Sequence, residues 1–532
     1  IKLIVSFFDV NNKNLKKNFF FLFLIIFLGL GIYSSINIGI THDEFHDYYV
    51  YESNKNYILN KFFGTNYDTT YLTGISKFYG SGFHYISSFI ELFSKNIFFS
   101  NSQAELTKIL LSKHISVFLF FLCSGLILKK IIKILTGNEL QAQISTIFYL
   151  VYPYLLGHSF FNIKDIPFLT VWIICTYLII KIIQIIFYQK KNFIKELILL
   201  SIFTAYLLSI RIAGVLIFIQ YLVFILVLMS VNNNNIFKFI KIYLKEIILF
   251  IFITLFLFIA LQPSFWGNPF LIIDSIKAMS QHLQTVCTVT LGECMPAQNL
   301  PPTYLPIWFF FKLPLIIIFG LISFFFVEEK IKKQKLDYII FIALVFSVLI
   351  LLALLILMNV NLYDEIRQVM FLLPIIFIIS LSSLYYYSKK MFYLFIPTFI
   401  ILFTLQNFKI YPYNYVWINN FSHITKVDNV FELDYWGAST KNISEFLSKN
   451  IDNDQCIISN RNDALQSFLS KNQCFIEFKN LHKSNNRPFM VSLMERALKK
   501  GTPNNCKLIY EEKRSLNFSK EEIIFAKVFK CD

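Results

Sequence analysis

Two adjacent carboxylates, Asp43 and Glu44, and two histidines stand together in Thr41-His-Asp-Glu-Phe-His-Asp47, just beyond the first long apolar run of the chain. Such polar groups at a membrane surface are costly to desolvate, so they need a use. One use is chemical, as a general base. The other is structural, since Asp and Glu suit the first turn of a helix that starts there. A second polar island, Phe161-Asn-Ile-Lys-Asp-Ile-Pro-Phe168, joins two apolar runs. Asp165 there either N-caps the next helix, with Pro167 in its first turn, or pairs with Asp43 to supply a base and a ligand for a metal or an acceptor. Arg211 interrupts the apolar stretch 198–231. An arginine in such a setting marks a functional site by default, and a phosphate suits its guanidinium fork. Arg367, in Tyr363-Asp-Glu-Ile-Arg367, either acts in the same way or pairs internally with Asp364. Trp266, in Pro263-Ser-Phe-Trp-Gly-Asn-Pro269, and the run Pro301–Pro306 either shape a lipid or sugar groove or anchor the chain at the interface.

The elements that must position these groups are mostly membrane spans. The 532-residue chain is 56% hydrophobic and only 15% charged, well below the quarter usual for soluble proteins. Its net charge of +16 would suit nucleic acid, but the lysines fall in short clusters between apolar runs, as positive-inside topology requires, which argues against a nucleic-acid role. Runs long enough to cross a core of ~30 Å occur at 19–38, 109–128, 142–160, 167–188, 246–263, 304–326, 338–358, 368–387 and 391–408. Placing every basic cluster in the cytoplasm, beginning with Lys13, Lys16 and Lys17, makes 198–231 a hairpin of two short helices. The count is then about eleven spans, and the C-terminus lies outside. Residues 1–18 form a cytoplasmic N-terminus and 19–408 the membrane domain. The outer loops are 39–108, 161–166, 264–303 and 359–367. Within them, 82–98 and 269–285 read as amphipathic interfacial helices. Residues 409–532 lose the long apolar runs. Segments such as Gln455–Ile458, Cys474–Phe478 and Cys506–Tyr510 read as short strands, giving a small extracytoplasmic α/β domain. An oxidising compartment would permit disulfides in that domain and between Cys287 and Cys294; the alternative is free thiols.

Taken in order, these features resemble the C-type-fold glycosyltransferases that use polyprenyl-phosphate sugars, in particular the protein O-mannosyltransferase-like family in its bacterial branch. The resemblance is carried by Asp43-Glu44 after the first span, Asn162-Ile-Lys-Asp-Ile-Pro-Phe168, Arg211-Ile-Ala-Gly214 and Tyr363-Asp-Glu-Ile-Arg367. Tyr411-Pro-Tyr-Asn-Tyr-Val416 and Asp434-Tyr-Trp-Gly437 fit as well, so that it covers about residues 19–440. It implies an inverting transfer of a sugar from a polyprenyl-phosphate donor to a hydroxyl of a glycolipid, a cell-envelope glycan or a protein. The setting is the outer face of a bacterial inner membrane. Asp43, Glu44 and Asp165 are then the expected catalytic residues, with Asp43 the base and Asp165 orienting the acceptor or helping to hold a divalent metal ion. Lys164, Arg211 and Arg367 are the expected cations for the donor phosphate, and His46, Tyr363 and Trp266 line the acceptor groove. The chain departs from the pattern at Gln368, where the branch often has His.

A lipid-linked saccharide polymerase or ligase, or a transporter, is the competing reading. A transporter favours broken helices at mid-membrane in two repeated halves; here one break, near Arg211, and no repeat are found. A polymerase or ligase centres its chemistry on a large outer loop with Arg and His, whereas 39–108 begins with carboxylates.

Overall fold

The computed structural model describes residues 13–100, 104–189, 192–232, 235–332, 335–421, 430–451, 455–469, 473–477, 489–494, 505–516 and 522–531. Eight helices among them are long and apolar enough to cross a membrane: Lys17–Asn37, Glu105–Thr136, Asp165–Phe187, Ile212–Val231, Leu244–Leu261, Lys335–Leu357, Arg367–Tyr387 and Lys389–Ile410. The chain is a multi-pass membrane protein. The run 304–326 forms two helices, Tyr304–Lys312 and Leu315–Phe326, bent by 111° at Pro314, whose ring cannot continue the first helix. Two further apolar helices, Glu139–Val151 and Ile194–Ile210, are shorter than a full crossing. The first stops because Pro153 forces Tyr152 into an extended conformation. The second ends at Arg211, whose extended backbone (φ −150°, ψ 133°) separates it from Ile212–Val231, which is long enough to cross by itself rather than a short hairpin arm.

Position within the bundle follows from burial. In the most apolar 18-residue stretch of Asp165–Phe187, 83% of the residues are buried, and in that of Arg367–Tyr387 94%, against 11% in Leu244–Leu261. The first two are therefore central and the third lies at the periphery. Both central helices begin at a residue of the candidate site, so the most rigid elements of the fold carry it. Of the basic clusters, Lys129 and Lys133 reach Glu139 at 2.6 and 2.7 Å, while Lys190, Lys191 and Lys333 lie outside the described residues.

The segment 39–108 is largely helical. His42–Phe63 follows the first span directly, and Gly82–Phe98 is the expected amphipathic helix, with Phe89, Leu92, Phe93 and Ile97 exposed. The second amphipathic segment is shorter than expected, Leu271–Ser280. It gives way to a hairpin, β1 (Cys287–Thr290) paired antiparallel with β2 (Glu293–Pro296) and closed by the disulfide Cys287–Cys294.

The terminal domain is a five-stranded mixed sheet. Its strands are β3 (Cys456–Ser459), β4 (Cys474–Glu477), β5 (Phe489–Met494), β6 (Cys506–Ser515) and β7 (Glu522–Cys531), in the order β4-β3-β5-β7-β6. The expected strand end Phe478 lies outside the described residues. β3 runs parallel to both β4 and β5, while β7 is antiparallel to β5 and β6. Helix Thr440–Asn450 packs Ile443 and Leu447 against Ile457, Met490 and Val528 of the sheet. Disulfides join Cys456 to Cys474 and Cys506 to Cys531.

This domain is docked on the turn that leads into the site. The Gly39 N–H donates to the Ala438 carbonyl at 3.2 Å, and Thr440 Oγ1 donates to the Ile40 carbonyl at 3.0 Å. Lys441 Nζ reaches Asn37 Oδ1 at 2.9 Å, and Thr107 Oγ1 donates to the Ser467 carbonyl at 2.8 Å. A Cβ on Gly39 would lie 2.4 Å from the Ala438 oxygen, so only glycine allows the two backbones to approach this closely. Gly39→Ala should therefore destabilise the protein by about 1–3 kcal/mol, read as a lowered melting temperature in detergent. Gly29→Ala, which meets no atom within 4 Å, should not.

Candidate active site

The helix His42–Phe63 starts at Thr41, and its first turn settles the two adjacent carboxylates differently. Glu44 stands at the third helical position and closes a capping box. Its Oε1 accepts from the Thr41 N–H (2.8 Å) and hydroxyl (2.9 Å), and its Oε2 lies 2.7 Å from His114 Nε2. His114 Nδ1 in turn meets the Ser35 carbonyl at 3.0 Å. Glu44 is thus buried and fully occupied in joining the helix start to Glu105–Thr136. Its neighbour Asp43 points elsewhere, because successive helical residues do not share a face. Asp43 is half-buried and, among the described residues, its carboxylate has no hydrogen bond or ion pair.

The open space beside Asp43 is a cavity of about 100 Å³. Its walls come from four parts of the chain: His42 and Asp43; Leu283 and Val286; Tyr363, Asp364 and Arg367; and Tyr435, Trp436 and Arg461. Burial raises the pKa of Asp43, but the charges of Lys164 and Arg367, with smaller help from His42 and Arg461, outweigh it and hold the carboxyl below its usual range. The group is therefore ionised at neutral pH. Burial lowers the pKa of His42, with Arg461 adding to the effect, so that its ring is neutral under the same conditions.

Asp165 ties the surrounding helix ends together. Its backbone N–H donates to Asn162 Oδ1 at 2.8 Å, and Asn162 Nδ2 donates to Asp165 Oδ2 at 3.0 Å. Arg211 Nη1 donates to Asp165 Oδ1, and Arg367 Nη1 lies 3.5 Å from Oδ2. Arg367 also donates from Nε and Nη2 to Asp364 Oδ2, at 3.2 and 2.9 Å. The structure shows the internal pair with Asp364 and adds an approach to Asp165 that the sequence did not suggest. Its guanidinium lies 5.0 Å from the ring centres of Tyr363 and Trp436, which further fixes its plane. Lys164 turns to Asp47, one helical turn beyond Asp43, with Nζ 2.8 Å from Oδ1. Burial opposes the charged form of Lys164, but Asp47 and Asp43 prevail and raise its pKa. The side chains of Lys164 and Arg211 keep 20% and 23% exposure, whereas Arg367 keeps 4%.

The loop carrying Tyr363 and Arg367 is held from several sides. Asp364 and Glu365 both adopt left-handed backbone (φ 56° and 64°), unusual for two successive non-glycine residues and costly unless the surroundings impose it. The Asp364 N–H donates to Thr288 Oγ1 of the disulfide-closed hairpin at 2.9 Å, and Tyr304 Oη donates to the Glu365 carbonyl at 3.3 Å. The Glu365 carboxyl lies 2.8 Å from Lys312 Nζ, both completely buried. A turn built on Asp434 presents Tyr435 and Trp436. Its Oδ1 accepts from Tyr415 Oη at 2.6 Å and from the Gly437 N–H at 3.0 Å.

Of the residues singled out in the sequence, Asp43, Tyr363 and Arg367 line the cavity, and Asp165, Lys164 and Arg211 support it. Glu44 is taken up by its cap. His46 stands behind Asp47, its Nε2 3.0 Å from Ser76 Oγ and its ring against Tyr79. Trp266 packs between Tyr57 and Phe62 near the other end of His42–Phe63, with Lys61 over its ring at 5.3 Å, and does not line the cavity beside Asp43. Asp165 does not fit a metal ligand, because Arg211 and Asn162 already hold its oxygens. Among the described residues no group of three or more His, Cys, Asp or Glu side chains is gathered to hold a cation. Asp47, Trp436 and Arg461 were missed. The spacing of Asp43 and Asp47 on one helix face signals the first, whereas nothing local signals Arg461.

No family model matches the chain, and no curated protein matches it. Among solved structures it is similar to ArnT from Cupriavidus metallidurans in the apo state, at 10% identity and a TM-score of 0.47, over 97% of this chain and 98% of that one. It is also similar to ArnT from that organism bound to undecaprenyl phosphate, at 9% identity and a TM-score of 0.47, over 96% and 98%.

Burial raises the pKa of Glu365 from 4.5 to about 8, against the opposing charge of Lys312. An acid with a raised folded-state pKa stabilises the fold at low pH and loses that contribution as pH rises through the folded value. Thermal stability in detergent should therefore fall between about pH 5 and pH 8, and Glu365→Gln should flatten that slope.

Proposed function

We propose that this protein is an inverting glycosyltransferase that moves a sugar from a polyprenyl-phosphate donor to a hydroxyl acceptor at the extracytoplasmic face of the membrane. One observation carries the reading: Asp43, an ionised carboxylate without a protein partner among the described residues, faces a small cavity walled by guanidinium groups and aromatic rings. A carboxylate left open in a protein that pairs its neighbouring carboxylates so thoroughly is available to accept a hydrogen bond from substrate.

In the proposed reaction the acceptor O–H donates to Asp43 while its oxygen attacks the anomeric carbon from the face opposite the phosphate. The new C–O bond forms as the bond to the phosphate oxygen breaks, the proton passes to Asp43, and the polyprenyl phosphate departs with the electron pair. That leaving group is already stable as an anion, so it needs positive charge rather than an acid. Lys164 and Arg211 retain exposed edges for this purpose, while Arg367 holds Asp165 and the aromatic wall in place. Tyr363 and Trp436 offer flat apolar faces to a sugar ring. This reading puts the N-terminus and the lysine-rich helix ends on the cytoplasmic side, in keeping with the positive-inside rule. The disulfides agree with an oxidising compartment for the site.

Asp43→Asn preserves shape but removes the base. Transfer from a polyprenyl-phosphate sugar in membranes holding normal amounts of the variant should fall by about 10²-fold or more. Undiminished transfer would exclude Asp43 as the base. Because its carboxyl is held below the usual range, the acid limb of the wild-type rate should lie below the range of ordinary carboxylates, with a plateau at neutral pH.

A further inference from the structure

The cavity is not completed by the membrane domain. Arg461 belongs to the terminal domain, at the carboxyl end of β3, where β3 runs parallel to strands on both sides. Loops at the carboxyl ends of parallel strands are where such sheets present ligand-binding groups. Its placement is fixed: the Arg461 N–H donates to Ser459 Oγ at 3.1 Å, and its Nη2 donates to the Tyr435 carbonyl at 3.2 Å. Arg461 thereby lines the cavity together with Trp436, Tyr363 and Arg367. The hydrogen bonds that dock Gly39 and Ile40 on residues 438–440 hold this wall against the helix that carries Asp43.

Charge balance gives the position its meaning. Among the described residues of the membrane domain, Asp43, Asp47, Asp165 and Asp364 stand in or around the site with Lys164, Arg211 and Arg367, four carboxylates to three cations. His42 adds nothing at neutral pH, since burial keeps its ring uncharged. The phosphodiester of the donor brings one more negative charge, and the departing polyprenyl phosphate, a monoester, up to about two. The membrane-domain cations alone therefore leave the site anionic even before a phosphate arrives, and Coulomb repulsion would oppose it. Arg461 adds a further positive charge in the cavity wall.

We propose that Arg461 is a donor-binding residue, by which the terminal domain supplies the guanidinium that holds the phosphate of the polyprenyl donor. The assignment rests on the transferase reading above. It makes the domain a wall of the active site rather than an appendage, and assigns it the task of accepting an oxyanion.

The test uses the full chain in nanodiscs and two probes, a polyprenyl phosphate and the corresponding uncharged polyprenol. The wild type should prefer the phosphate, and Arg461→Ala should weaken phosphate binding about tenfold or more while leaving polyprenol binding unchanged. Arg461→Lys keeps the charge but loses the fork, and should fall between them. Should Arg461→Ala melt early, Arg461→Gln, which keeps most of the side-chain length, should show the same selective loss. Wild-type phosphate affinity in the folded Ala or Gln variant would overturn the assignment. Equal binding of both lipids by the wild type would instead remove the donor reading itself, and this assignment with it.

Discussion

The site depends on one shared carboxylate. Asp165 begins one central helix and receives Arg211 from the end of a second and Arg367 from the start of a third. An isolated arginine at the edge of a membrane domain is costly, and so is an isolated aspartate; together they are tolerable only in a tight geometry. Asn162 supplies that geometry by bonding both the backbone and the side chain of Asp165. The register of three helices is thereby fixed at one level, and Asp43 gains a surface to face. The same argument explains why the apolar stretch 198–231 must break at Arg211: an unbroken helix would carry the guanidinium past its partner.

The surrounding layers repeat this logic of holding a charged group by another element of the chain. Arg367 is gripped by Asp364, the Asp364 backbone by Thr288, and the aromatic rings by the turn at Asp434. Two left-handed residues in succession persist only because their carbonyl, amide and side chain are each bound elsewhere. The resulting cavity is small and rigid. Among the described residues its one uncommitted carboxylate, rather than the acidic residues as a set, is what the proposed chemistry turns on.

Much of this was legible in the sequence wherever the signal was local. Apolar length gave the helices, Arg211 marked the break, and Pro167 at a first helical turn marked the start of Asp165–Phe187. Thr41-x-x-Glu44 is a capping-box pattern, so the sequence held the means to separate Glu44 from Asp43, even though both stood as candidate carboxylates. Trp266 could not be placed from composition, because an aromatic beside prolines suits an anchor as well as a groove. Arg461 lay beyond reach altogether. Its relation to Asp43 exists only through the docking of a sheet on a turn more than four hundred positions earlier in the chain, and such contacts have no period or motif. Strands β5 and β7 were missed for a related reason: a sheet strand is defined by partners distant in sequence.

The hairpin closed by Cys287 and Cys294 holds the loop of Arg367 through a single hydroxyl, that of Thr288. The covalent link therefore acts at a distance from the cavity. With those thiols reduced, every side chain around the cavity would still be present, but the strand that fastens the Asp364 amide would lose its covalent closure.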